Sequence, residues 1–198
     1  MGTIEMRNAL IESAIHVVAK DGIDRATTKS LATYAKLNEV YIYRVFGGKE
    51  QLLKEAFDVL DAEFCDCLLK NIEIMSDTSI PLKERCWIYF LKIWEFIFTD
   101  EEKCSYFIRY YHSRFFDTYS IDFRRQTYAE VVNILATAFK EEIDIWLLLN
   151  HIFDVIFASA QKILRKEVAN DDRMAVSVFA LIYTALEPYF VLSIKGDS

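Results

Sequence analysis

The chain has 198 residues, 53% hydrophobic, 15% aromatic and 27% charged, with net charge −7. That is enough for one large domain or two small ones and too apolar for wholesale disorder. Only five Gly and two Pro occur, with no glycine between Gly48 and Gly196. Sandwiches, barrels and doubly wound sheets need turn residues throughout, so the composition excludes them and predicts an all-α chain.

Membrane insertion is disfavoured on charge. The longest charge-free stretch, Met174 to Leu186, is 13 residues, short of the roughly 20 that span a bilayer. The N-terminus shows no basic and apolar export pattern, so a cytoplasmic location is expected, with Cys65, Cys67, Cys86 and Cys104 as free thiols. Residues 1–50 hold seven Lys/Arg against six Asp/Glu and four of the 29 aromatics; the remainder holds sixteen against twenty-four and the other 25. A near-neutral head joins an acidic, aromatic-rich body. That acidity argues against a general nucleic-acid coat and leaves room for a local DNA-reading face.

Met6, Leu10, Ala14, Val17 and Val18 recur at helical spacing. Lys20-Asp21-Gly22 predicts the end of that first helix, with Ile23 closing the cap. A short second helix is expected after Thr27, whose hydroxyl can cap it, with Leu31, Ala32 and Ala35 buried. Asn38 is a good cap for a third helix, Glu39 to about Phe46. Gly47-Gly48 breaks the chain before a helix running from Lys49 to about Asn71. Beyond it, polar breaks predict helices near 81–98 (after Pro81), 103–117, 121–140, 144–167 and 171–194, about nine in all. Pro188 is expected to kink the last.

Residues 27–46 thus read as two short helices joined by a tight turn and preceded by a longer helix, the pattern of a helix-turn-helix. Leu31, Ala32, Ala35, Leu37 and Ile42 are spaced to pack the pair, which turns one face of the third helix toward a major groove. Over roughly residues 5–57 the chain resembles the tetracycline-repressor-like (TetR-like) bacterial transcriptional regulators. The resemblance rests on the Gly22-Ile23 turn, the Thr27 cap, Tyr43-Arg44-Val45-Phe46, and Lys49-Glu50-Gln51-Leu52-Leu53. The body, 58–198, matches only in length, helix count and aromatic content.

The resemblance implies a helix-turn-helix DNA-binding domain (1–48) and a larger antiparallel helical-bundle body for ligand binding and dimerisation (49–198). It implies a homodimer through the last two helices. Position by position, Thr27, Tyr43 and Lys49 match phosphate-contacting sites, with Arg44 beside them. Asn38, Glu39, Val40 and Tyr41 fall where the family meets base edges or nearby backbone. Two residues depart from the pattern. Lys36 stands where the turn usually holds Gly, at a cost of roughly 1–2 kcal/mol if left-handed. Glu39 brings a carboxylate toward phosphates; it suits a helix N-terminus and could also accept from the cytosine amine.

Phe46 reads as core, and Tyr43 as core or phosphate contact. Cys65 and Cys67 point to different helix faces, and His16, His112 and His151 form no metal-binding spacing, so no metal or cofactor is expected. Trp87, Trp94, Tyr110, Tyr111, His112 and Phe153 are expected to line an apolar cavity for a small apolar or aromatic effector, with tolerance for a cationic head group. Apolar excess in Phe153, Phe157, Phe179, Ile182, Tyr183 and Leu186 suggests the dimer face. The leading expectation is a repressor released from a palindromic double-stranded DNA operator by that effector. A helical carrier or enzyme with a degenerate head is the alternative, weakened by the lack of any nucleophile–base constellation or phosphate loop. A pure dimerising interaction protein is a third. Binding to upstream DNA separates the first from the others.

Overall fold

The computed structural model describes residues 2–191. It is all-α, with eleven α-helices among those residues and an N-terminal helix-turn-helix. The head comprises α1 (Thr3–Asp21), α2 (Thr28–Tyr34) and α3 (Val40–Phe46), followed by α4 (Lys49–Asn71). Then come α5 (Leu82–Ile97), α6 (Glu101–Tyr111), α7 (Arg114–Tyr119), α8 (Ile121–Thr127), α9 (Ala129–Ala136), α10 (Ile145–Leu164) and α11 (Asp172–Leu186). Short 3₁₀ turns follow α4 and α11.

Three helices expected from sequence are altered. The helix at 103–117 starts earlier, because the Asp100 carboxylate caps Glu102 and Lys103, and it divides at Ser113, whose hydroxyl accepts from Phe115 N–H to start α7. The helix at 121–140 divides at Tyr128, a fully buried ring whose backbone leaves the helical range. The last helix stops at Leu186 rather than kinking: Glu187–Tyr189 tightens into a 3₁₀ turn holding Pro188, and Phe190 is extended. Residues 192–194 of that expected helix lie outside the described residues. Gly22 ends α1 at φ 94, ψ 156, a positive φ but an extended ψ rather than the left-handed helical cap.

Two compact units emerge. The first contains the described residues through Phe64 with Ile97–Thr127; the second contains Cys65–Phe96 and the residues from Tyr128 onward. In the first, Leu10, Ala14 and Val18 of α1, Leu31 of α2, Ile42 of α3, and Leu52, Leu53 and Phe57 of α4 are buried. Phe57 stacks on Tyr110 at 4.5 Å between ring centroids. The fully buried Tyr106 hydroxyl donates to the Leu53 carbonyl at 2.5 Å, so no polar group is stranded there. Asp61 and Arg124, both buried, pair at 3.2 Å, and the guanidinium lies over the Tyr111 ring, 5.0 Å from its centroid.

In the second unit, α10 and α11 pack together. Phe153, Ile156 and Phe157 of α10 and Val178, Phe179, Ile182, Tyr183 and Leu186 of α11 are buried within the single chain. The chain after α11 folds back: Lys140 N–H donates to Tyr189 O at 2.9 Å and Val191 N–H to Ala138 O at 3.0 Å, pairing Phe139 with Phe190 as an isolated antiparallel bridge. Among the described residues, α10 is the one helix long and apolar enough to cross a membrane by length and composition. The charge-free run that argued against insertion lies in α11 instead.

Candidate nucleic-acid interface and effector cavity

Directional bonds build the helix-turn-helix. Thr27 Oγ1 accepts from Ser30 N–H at 3.1 Å while Ser30 Oγ accepts from Thr27 N–H at 3.0 Å, satisfying two free donors at the start of α2. Ser13, buried in α1, donates its hydroxyl to the Leu31 carbonyl at 2.6 Å, so α1 holds α2 by a bond as well as by packing. At the end of α2, Lys36 N–H reaches Thr33 O and Leu37 N–H reaches Ala32 O. That pair of bonds is a Schellman cap, which needs a left-handed residue; Lys36 supplies it at φ 55, where glycine is usual.

Asn38 Oδ1 accepts from Val40 N–H at 2.9 Å and so caps α3, while left-handed Gly47 ends it. Ile42 and Phe46 face inward. Val40, 65% exposed, and Tyr43, 58% exposed, face solvent along with Asn38 and Arg44. Tyr41 is half-buried. Thr27 is exposed. Lys49 is half-buried, its ammonium donating to the Ala26 carbonyl at 2.9 Å, which ties the start of α4 to the approach to α2. Glu39 is also half-buried, and Thr28 Oγ1 donates to its Oε2 at 2.5 Å.

Further clasps hold α1 within this unit. Arg7 pairs with Glu55 at 2.5 Å. His16 stacks on Tyr34 at 4.1 Å, and its Nδ1 lies 2.9 Å from the Glu102 carboxylate. A Cβ on Gly22 would stand 3.0 Å from Arg109 Nη1, the yielding end of an exposed side chain, so the positive φ of 94 rather than that contact favours glycine there.

The second unit holds an apolar pocket with about 710 Å³ of empty space, a figure that includes space open to solvent. Its walls come from Leu68, Met75, Cys86, Tyr89, Phe90 and Ile93, from Val131, Leu135 and Phe139, from Leu149, Ile152, Phe153 and Ile156 of α10, and from Phe179, Ile182, Tyr183, Leu186 and Phe190. No charged side chain is among them. Tyr89 donates its hydroxyl to the Leu68 carbonyl at 3.2 Å, and burial raises the pKa of that phenol. Burial likewise pushes the Cys86 thiol up to about 11, against a smaller pull from Arg85. Both groups therefore stay neutral at ordinary pH.

Of the six residues expected at the cavity, Phe153 lines it. Trp87 and Trp94 sit one layer out: Trp87 lies beside Phe90 and Phe179, while Trp94 Nε1 donates to Asn170 Oδ1 at 3.2 Å. Tyr110, Tyr111 and His112 belong to the first unit, with Tyr110 Oη 3.1 Å from Ser120 Oγ and His112 exposed. Phe179, Ile182, Tyr183 and Leu186, read as a dimer face, line this cavity instead. Sequence reasoning missed Phe139 and Phe190 altogether; their meeting depends on the chain reversal after Pro188. None of the four cysteines is in a disulfide. The described residues contain no cluster of three or more metal-capable side chains.

Residues 10–56 match the family model described as bacterial regulatory proteins, tetR family. A DNA-binding transcriptional repressor TetR of Mycobacteroides abscessus is 40% identical over 58 residues, 29% of this chain and 30% of that protein. An HTH-type nicotine-responsive transcriptional repressor, HdnoR of Paenarthrobacter nicotinovorans, is 29% identical over 79 residues, 40% of this chain and 39% of its own. The aligned segments thus span about a third of these curated relatives. In fold, a TetR-family transcription regulator from Shewanella sp. PV-4 aligns with 94% of this chain and 98% of its own at a TM-score of 0.75 and 18% identity. Residues 10–56 thus match the family's DNA-binding segment, and nearly the whole chain shares the fold of solved TetR-family members, so the chain is similar to the TetR-like regulators.

Proposed function

We propose that this protein is a cytoplasmic transcriptional repressor that binds a palindromic DNA operator as a homodimer and lets go when a small, uncharged apolar effector enters the second unit. The observation that carries the reading is the recognition helix: Ile42 and Phe46 anchor α3, and Asn38, Val40, Tyr43 and Arg44 stand outward from it. Asn38, Val40 and Tyr41 are suited to base edges or nearby backbone, and Thr27, Tyr43, Arg44 and Lys49 to phosphates. Regulators of this kind are not enzymes, and nothing in the cavity pairs a nucleophile with a base.

The cavity favours an uncharged ligand, because an ionised group would be desolvated there without a partner. A cationic head group therefore loses the support that net acidity gave it. The dimer face is proposed on the outer side of α11, where Val176, Ala180, Leu181 and Thr184 are exposed, Leu181 by 65%. Two-fold pairing would place the same patch against itself. α4 belongs to both units, its residues through Phe64 in the first and from Cys65 in the second. An effector that binds better to the DNA-incompetent arrangement would shift the population by its differential affinity.

Fluorescence anisotropy on the DNA upstream of its own gene tests the reading. Binding should weaken with salt and with added neutral apolar ligand. A chain that prefers no DNA sequence over bulk DNA overturns it.

A further inference from the structure

We propose that Thr28 and Glu39 form a positioning clasp that fixes the recognition helix, and that Glu39 does not read a base. The inference rests on the DNA-binding reading above. α3 already has its cap in Asn38, whose Oδ1 takes Val40 N–H at 2.9 Å. The backbone of Glu39 is helical at φ −53, ψ −29, and its carbonyl accepts from Ile42 N–H at 3.0 Å. Its side chain therefore owes nothing to the helix start. It turns back to Thr28, the first residue of α2, and accepts the Thr28 hydroxyl at 2.5 Å.

The placement gives the bond its meaning. The turn at 35–38 joins the end of α2 to the start of α3. The clasp joins the start of α2 to the start of α3. With seven residues, α2 is about 10 Å long. The first turn of the recognition helix is thus held from both ends of α2, so its tilt is fixed by more than the turn. That turn itself carries a lysine in the left-handed region, where a side chain is disfavoured. A charge-assisted bond across the pair supplies the directional constraint that apolar packing of Leu31 and Ile42 lacks. A carboxylate engaged inside the head is also withdrawn from cytosine amines, leaving base edges to Asn38, Val40 and Tyr41.

The test is a binding-site selection followed by anisotropy titrations on the full chain, with wild type, Glu39→Ala, Glu39→Gln, Thr28→Val, Thr28→Ser and the Thr28→Val/Glu39→Ala double variant. Glu39→Ala and Thr28→Val should each weaken binding roughly tenfold on every sequence. The selected motif should stay unchanged, and the double variant should lose no more than either single. Glu39→Gln and Thr28→Ser keep an acceptor and a donor in place and should bind within about threefold of wild type. These two hold the test if Ala or Val unfolds the head. A changed preference at one symmetric base pair in Glu39→Gln or Glu39→Ala, with Thr28→Val unchanged, would overturn the clasp in favour of base reading. Additive losses, or wild-type affinity in both disruptive variants, would also overturn it. A wild-type chain that selects no sequence brings down the DNA-binding reading first, and the clasp with it.

Discussion

The two units hold their helices by a different balance of hydrogen bonds and apolar packing, the second adding only bonds such as Tyr89 to the Leu68 carbonyl and Trp94 to Asn170 outside the α10–α11 contact. In the first, hydrogen bonds link neighbouring segments, Ser13 to Leu31, Thr28 to Glu39, Lys49 to Ala26 and His16 to Glu102, and a buried Asp61–Arg124 ion pair adds to them. In the second, α10 and α11 meet through Phe153, Ile156, Phe179 and Ile182, and the space they leave is walled by apolar groups. Hydrogen bonds fix angles; apolar contact fixes only proximity and tolerates repacking. The unit proposed to present a recognition helix is the one with defined angles. The unit proposed to admit a ligand is the one whose walls can adjust.

The sharpest break in this contrast is Arg124→Met. It leaves Asp61 buried without its cation and should cost about 3–5 kcal/mol, whereas Asp61→Leu/Arg124→Met should recover most of that. All three tryptophans, 87, 94 and 146, lie in the second unit. Urea unfolding followed by circular dichroism should therefore show the loss clearly, and tryptophan fluorescence should show it less. Coincident shifts in both probes would mean that the units unfold as one.

Filling the cavity probes the apolar side. Leu149→Trp should cost about 1–3 kcal/mol through overpacking. It should also abolish any rise in melting temperature produced by neutral apolar ligands, while leaving DNA binding intact. A retained ligand response in this variant would place the effector elsewhere.

Alkali should act on the buried thiols. Burial, opposed by Arg85, raises Cys86 from 9.0 to about 11; burial, with Glu101 and Asp100, raises Cys104 to about 12. Above pH 9 the unfolded chain loses these protons while the folded chain keeps them, so stability is full below pH 9 and falls as pH rises toward 11–12. The expected loss is about 1 kcal/mol per thiol by pH 10, and the Cys86→Ala/Cys104→Ala variant should lose correspondingly less between neutral pH and pH 10, keeping only the part due to buried tyrosines such as Tyr89 and Tyr106. Denaturation curves at pH 8 and pH 10 measure it.

The smallest effect is common to both units. Lys36 and Lys166 sit at positive φ, 55 and 59, each in a Schellman cap. Lys36→Gly and Lys166→Gly should each stabilise by about 0.5–1 kcal/mol after the entropy cost of glycine. A loss of stability in either would show that the lysine side chain contributes more than its backbone strain costs.

Much of the head was legible in sequence because its signals are local. Thr27, Asn38 and Gly47 announce caps wherever they occur, and Lys36 stood out because it falls where the resembled family usually holds Gly, the position that proves left-handed. The break at Tyr128 carried no such sign: a buried aromatic looks like helix interior. Phe179 and Tyr183 were visible as apolar excess, but an apolar stripe does not say whether it faces its own chain or a copy. Tyr110, Tyr111 and His112 were expected at the cavity, yet which unit their helix joins is decided by packing that no local pattern reveals. The Thr28–Glu39 bond spans eleven positions, and no local pattern links its ends.

Pro188 ends α11 early enough for the chain to reverse and bring Phe190 against Phe139, and both rings wall the cavity. A version of this protein cut after Leu186 would keep every α-helix described and still lose that wall. Trimming by helix boundaries, a common habit when shortening helical proteins for biosensor use, would here open the cavity to water while leaving the helical spectrum almost untouched.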